Sequence, residues 1–96
     1  MTPHNSLLIT PHELAALLQG DGELALLDAR DEGVFARSHL LFAVLLPWSR
    51  LEERARALVP RLGTPVVMVS AAADGLADMA ARRLREMGYT DVRVLD

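Results

Sequence analysis

The segment Pro65-Val-Val-Met-Val-Ser70 constrains this chain more than any other. Four consecutive apolar residues, Val66 to Val69, follow a proline and precede a polar stop. Side chains of a strand alternate between its two faces, so a strand with no polar position has to be covered on both sides. That favours a parallel sheet, because the crossover helices that link parallel strands pack on its faces.

The rest of the chain supplies the pieces such a sheet needs. Leu7 to Thr10 reads as a short first strand. Thr10-Pro-His-Glu13 is a capping box, in which the Thr10 hydroxyl oxygen accepts the Glu13 amide and Glu13 reaches back. Pro11 suits the first helical position, where an amide has no helical partner. Leu14, Leu17 and Leu18 form one apolar face, and Gly20 is expected to end that helix in the left-handed region. Glu23 to Asp28 is a mostly apolar strand ending in charge. Glu32 to Arg37 reads as a short helix with Val34 and Phe35 turned inward. Phe42 to Leu46 is another short apolar run, stopped by Pro47. Ser49 with Glu52 predicts a second capping box. The helix beyond it sets Leu51, Ala55 and Leu58 together, pairs Glu52 with Arg56 one turn on, and closes at Pro60 and Gly63.

After Ser70 a loop leads into a helix where Leu76, Met79, Ala80, Leu84 and Met87 recur at helical spacing. Arg82, Arg83 and Arg85 lie near its C-terminal end, where the helix dipole favours cations, and Gly88 follows as a C′ residue. Asp91 to Asp96 reads as a last strand with Val92 and Val94 on one face. Five strands alternating with four helices over short connections imply an α/β layer architecture around a mainly parallel sheet. At 96 residues the chain makes one domain with one modest core.

Composition removes whole classes of chemistry. There is no cysteine, which excludes disulfides, thiolate zinc sites, iron–sulfur ligation and every cysteine-based mechanism. All ten basic residues are Arg, so no lysine forms a Schiff base or a P-loop contact. A formal charge of −3, with no basic stripe and interleaved aromatics, argues against nucleic acid as a partner. No run approaches membrane-spanning length, and the start lacks the basic and apolar regions of a signal peptide, so a cytoplasmic location is expected. No metal or cofactor is expected. His39 has no second histidine at helical spacing, and Asp74 with Asp78 offers too few oxygens for calcium.

Ligands of open parallel sheets sit beyond the carboxyl ends of the strands. That criterion selects Asp28 to Arg30, after the second strand, as a pocket wall. It also selects the loop Ser70, Ala71, Ala72, Ala73, Asp74, Gly75 and Leu76. Ser70 as a nucleophile requires a positioned base and an orienting acid. The loop has no histidine, and there is no G-x-S-x-G elbow. Ser70 therefore reads first as a cap for loop backbone, Asp74 and Asp78 as helix-capping acids, Asp28 as an acceptor of loop amides and Arg30 as paired with a carboxylate. His39 reads as a hydrogen-bonded structural histidine. Trp48, after Pro47, sits near the rim as a packing or contact residue.

Taken in order, LLDARDEGVFARSHLLFAVLLP (Leu26 to Pro47), VVMVS (Val66 to Ser70) and AARRLREMGYTDVRVLD (Ala80 to Asp96) resemble the rhodanese-like domain. The likeness covers nearly all of the chain. It implies a three-layer α/β fold, with a mainly parallel five-stranded sheet and helices on both faces. It also implies sulfur transfer. In this family the residue after the fourth strand is a cysteine that carries a persulfide between a sulfur donor and an acceptor such as cyanide or a thiol. Backbone amides at a helix N-terminus, usually helped by Arg, cradle the anion.

This chain departs where that chemistry sits. Ser70 occupies the cysteine position, or Ala71 does if the loop's extra residue is placed before it. No Arg lies between Ser70 and Ala81, while Asp74 and Asp78 flank the loop. Serine forms no persulfide, and two carboxylates repel thiosulfate or phosphate. Ser38 stands where a glycine usually precedes the family's histidine. The chain stops at Asp96, where the family usually runs on into a Gly-Gly turn and a further helix. Residues 1–96 are therefore expected to be a single rhodanese-like domain from a longer, multi-domain polypeptide. The expected function is that of a catalytically inactive module of a sulfurtransferase, with a structural, regulatory or protein-interaction role and no enzymatic activity in isolation. Its expected partners are neighbouring domains of the same polypeptide or a partner protein. The alternative is an enzyme of another class, such as a hydrolase, using Ser70 and nearby acids in a modified pocket.

Overall fold

The computed structural model describes residues 7–71 and 74–96. Ala72 and Ala73 of the candidate loop lie outside the described residues. The elements run β1 (Leu8–Ile9), α1 (Pro11–Gln19), β2 (Ala25–Asp28), α2 (Glu32–Arg37), β3 (Val44–Leu45), a 3-10 turn (Trp48–Arg50), α3 (Leu51–Leu58), β4 (Val66–Val69), α4 (Leu76–Glu86) and β5 (Val92–Leu95). The strands form one sheet in the order β1-β5-β4-β2-β3, and every pairing is parallel.

The apolar run forms the central strand, β4. Its neighbour β2 sets Leu26 opposite Val67 and Leu27 opposite Met68. On one face Leu26, Val67 and Val69 pack with Ile9, with Leu14 of α1 and with the half-buried Phe35 of α2. On the other face Leu27, Val66 and Met68 pack with Leu51 and Ala55 of α3 and Ala77, Ala80, Ala81 and Leu84 of α4. The sheet is thus covered on both sides, as four consecutive apolar strand residues require. Met68 is completely buried, so truncation to Ala would cost about 2–5 kcal/mol in lost burial and cavity. The α3–α4 side carries the larger core. On the α1 side only Leu14 of the helix is buried, and Leu17 and Leu18 stay exposed.

The helix ends show where local rules hold. The Thr10–Glu13 capping box is present in both directions. Hydrogen bonds from the Thr10 amide and hydroxyl hold the Glu13 carboxyl below its usual range, against a smaller opposing effect of burial. Gly20 does not take the left-handed conformation expected of it; it is extended, at φ −80° and ψ 172°. Its amide closes the last turn onto the Leu17 carbonyl at 3.2 Å, and the chain leaves α1 from there. Gly88 does fit the C′ role, with φ +108°. Gly88 and Tyr89 donate to the carbonyls of Arg85 and Leu84. A Cβ at Gly88 would also meet Leu62 Cδ1 at 3.3 Å.

Two expectations for α3 fail. Ser49 does not cap it. The Trp48 amide donates to Ala29 O and the Arg50 amide to Pro47 O, which winds the entry into a 3-10 turn and delays α3 until Leu51. Glu52 does not pair with Arg56 either. It accepts from Nε of Arg83 on α4 at 2.7 Å, because α3 and α4 lie side by side over the sheet. Leu58 is correspondingly exposed, while Leu51 and Ala55 are buried.

One residue other than glycine has a positive φ among the described residues: Phe42, at +73°. Such a backbone costs about 1–3 kcal/mol in a residue with a Cβ. Among the described residues no helix is long and apolar enough to cross a membrane.

Candidate functional site

The carboxyl ends of β2 and β4 lie side by side, with Asp28 opposite Val69. The Ala29 amide donates to Val69 O at 2.9 Å, so the chain after β2 is tied to the end of β4. Leu46 and Trp48 donate in turn to the carbonyls of Asp28 and Ala29, fixing the same edge from the other side.

Asp28 is only 1% exposed. Its carboxylate accepts Arg30 Nε at 3.0 and 3.1 Å, Arg30 Nη2 at 2.7 Å and the Arg30 amide at 3.0 Å. Nη2 also donates to the Ser38 carbonyl at 2.6 Å. The hydrogen bond with Asp28 raises the Arg30 pKa although burial opposes it, and the charges of Asp28, Asp74 and Asp31 add to the effect. The Asp-x-Arg turn is therefore a closed ion pair that also clamps the segment after α2.

The β4–α4 loop is closed by its own side chains. Ser70 Oγ accepts the Ala77 amide at 3.0 Å. Asp74 Oδ2 accepts the Ala71 amide at 3.1 Å, and Oδ1 accepts the Leu76 amide at 2.9 Å. Gly75, at φ +71°, makes the turn that brings Asp74 back over the helix start. Burial works to raise the Asp74 pKa. Donation by the Leu76 amide, the Ser70 hydroxyl and the Ala71 amide, with the charge of Arg30, outweighs it and holds the group below its usual range. Asp78 lies exposed in the first turn of α4. Leu76 is half-buried against the main core, and Met79 is exposed.

Two cavities flank Ser70. One, of about 300 Å³, is lined by Asp28, Arg30, Ser38, His39, Leu40, Val69, Ser70 and Leu95. The other, of about 280 Å³, lies toward Gly75, Ala77, Asp78 and Asp96. His39 packs its ring on Phe35 with centroids 3.9 Å apart and planes 7° from parallel. Its Nδ1 lies 2.8 Å from the Phe35 carbonyl. A carbonyl only accepts, so Nδ1 carries the proton. Among the described residues no group of three or more His, Asp or Glu is placed to hold a metal ion.

The strand-end hydroxyl, the helix start and the neighbouring Asp-x-Arg pair together form a recognisable constellation. A family model described as the Rhodanese-like domain matches residues 10–96. The chain belongs to the rhodanese-like family. This domain has a TM-score of 0.87 to the crystal structure of thiosulfate sulfurtransferase from Pseudomonas aeruginosa. The two are 48% identical over 93% of this chain, which spans only 17% of that chain. It is also similar to the Alr3790 protein from Anabaena sp., with a TM-score of 0.83 and 25% identity, covering 92% of this chain and 70% of the other. The human single-domain sulfurtransferase TSTD1 gives a TM-score of 0.77 at 26% identity, covering 93% of this chain and 88% of that one. Among curated protein sequences none matches.

In this rhodanese-like domain Ser70 directly follows β4; it and Ala71 are the two positions read from the sequence as that of the transferring cysteine. Several wall residues were not anticipated. Leu40 and Leu95 line the cavity beside Ser70, and the Ser38 carbonyl anchors Arg30 through backbone, which no side-chain pattern reveals. Asp31 caps α2 by accepting the Val34 amide at 3.0 Å. Its place just before the helical run Glu32 to Arg37 was a usable signal.

Proposed function

We propose that this rhodanese-like domain is a catalytically silent module of a larger cytoplasmic sulfurtransferase. It serves structure, regulation or contact with neighbouring domains or a partner protein, and it does not transfer sulfur. One observation carries the reading: the carboxylate of Asp74 occupies the amides of Ala71 and Leu76 while the Ser70 hydroxyl takes that of Ala77. In a sulfur-transferring loop those donors serve a thiolate and an anionic donor. Here they are satisfied from within, by a group whose charge repels the substrate class. A hydroxyl at Ser70 has no route to a persulfide. The size of the Pseudomonas relative, of which this chain spans 17%, supports the presence of further domains.

A serine hydrolase draws no support from this geometry. Ser70 Oγ accepts the Ala77 amide and its hydroxyl faces the Ala71 carbonyl at 3.5 Å, and among the described residues no hydrogen bond joins Ser70 to His39, so no Ser–His couple is assembled.

The test is an assay of the purified domain with thiosulfate and cyanide. Thiocyanate should not rise above the protein-free rate. Formation that scales with protein through successive purification steps overturns the reading.

A further inference from the structure

We infer that the apolar groove between α1 and the loop after α2 seats an adjoining domain of the same polypeptide, an inference that rests on the modular reading above. The groove has a volume of about 270 Å³, and every residue lining it is apolar, including Leu14 and Leu18 of α1, Leu40 and Leu41 of the loop, and Leu95 of β5. Leu18 is 40% exposed, Leu40 43% and Leu41 75%. Next to them Phe42 is 69% exposed. Single apolar side chains scatter over any surface, but a contiguous set beside an open groove marks a contact.

The second observation is the backbone of Phe42. Its φ of +73° is a conformation that glycine adopts without strain. A large aromatic there strains the backbone and places its ring in water. Neither effect helps the isolated domain, so the ring is accounted for by something it touches elsewhere.

The occupant follows from size and connectivity. The exposed apolar side chains of the patch are few, Leu18, Leu40, Leu41 and Phe42, whereas a stable pair of separate proteins meets through about 20–30 residues a side. A contact this small holds when a linker keeps the partner at high local concentration. The Pseudomonas relative, 48% identical over 93% of this chain, has most of its length outside the matched unit, since that unit is 17% of it. An adjoining domain presenting one or two apolar side chains meets both conditions. Leu40 and Leu95 also line the cavity beside Ser70, so the seated domain would form part of that cavity's rim.

The test compares the polypeptide expressed from its complete gene with the 96-residue chain, each as wild type and as Leu41→Ser/Phe42→Gly, by amide hydrogen exchange. In the wild-type polypeptide, exchange over Leu40 to Leu46 and along α1 should be at least about tenfold slower than in the short chain. The double variant should lose that difference while the short chain melts no lower than wild type. Equal exchange in the two wild-type proteins overturns the inference, as does a gene that encodes nothing beyond this domain. A concentration-dependent dimer of the short chain that slows the same amides assigns the groove to a second copy and overturns the choice of occupant. Thiocyanate formation by the short chain is read separately. It would remove the catalytically silent reading without altering the exchange result.

Discussion

Ser70 Oγ accepts the backbone N–H of Ala77 at 3.0 Å, joining the end of β4 to the first turn of α4. Ser70, one of two residues read from the sequence as standing at the cysteine position, therefore satisfies an amide in the first turn of α4. Ser70→Ala should cost about 0.5–2 kcal/mol, the usual range for a lost cap. It would appear as a lower urea midpoint with an unchanged slope.

Ser70→Cys should restore little or no sulfur transfer. The thiol is a weak acceptor for the Ala77 amide. The loop also keeps its Asp74 carboxylate and has no arginine to hold an anion. Thiosulfate and cyanide turnover checks this. Robust thiocyanate formation by the single variant means that the cradle is still competent and the electrostatic reasoning fails.

Asp74→Asn keeps one acceptor oxygen, so it should free one of the two amides, remove the negative charge over the cradle and remove an acid-sensitive contact. The folded-state pKa of Asp74 is lowered, so the carboxylate stabilises the fold above its unfolded value of about 3.9. That contribution is lost as pH falls through the folded value. The wild-type advantage over Asp74→Asn should therefore be constant near neutrality and shrink below about pH 4. Sulfate titrations followed by amide shifts provide a second readout. Shifts at Ala71 or Leu76 are expected in Asp74→Asn and absent in wild type. Matching shifts in the wild-type protein count against a self-occupied loop.

Much of the fold was legible because it rests on local or periodic signals. The apolar run Val66 to Val69 required two covered faces, and both are covered. Thr10 and Glu13 form a capping box within one helical turn. The failures share a different cause. Ser49 loses its cap because the Trp48 amide is drawn to Ala29, and Glu52 leaves Arg56 because Arg83 approaches from another helix. Neither partner is adjacent in sequence, so no local pattern reports it. The site divides the same way. That Asp28 accepts a nearby amide and Arg30 meets a carboxylate was readable, whereas their pairing with each other and the Ser38 carbonyl that holds Arg30 from outside were not.

Arg30→Met should be the most damaging single change near the site. It removes three side-chain contacts from a carboxylate that is 1% exposed and leaves that charge buried with only the backbone amide of residue 30 donating to it. Breaking a buried pair from one side costs about 3–5 kcal/mol. Arg30→Lys should cost less, since it keeps the charge but not the two-pronged geometry. Asp28→Asn combined with Arg30→Met should recover part of the loss, because no uncompensated charge remains. Urea denaturation of the four proteins decides the matter. A double variant no more stable than Arg30→Met would mean that the arginine acts by packing alone.

Phe42→Gly should leave the isolated domain as stable as wild type or more so. The substitution relieves a left-handed backbone worth about 1–3 kcal/mol of strain. It adds flexibility to the unfolded chain worth about 0.4–1 kcal/mol in the opposite direction. Little packing is lost, because Phe42 is 69% exposed. The balance is a gain of up to about 2 kcal/mol. For a domain of this size that raises the melting temperature by several degrees, since about 1 kcal/mol corresponds to about 4–8 °C. Phe42→Ala is the control, because it trims the ring but keeps a Cβ in the strained conformation. It should gain nothing. If Phe42→Gly melts lower than Phe42→Ala, the ring and its backbone are held by contacts within the domain, and the strain is not relieved by glycine.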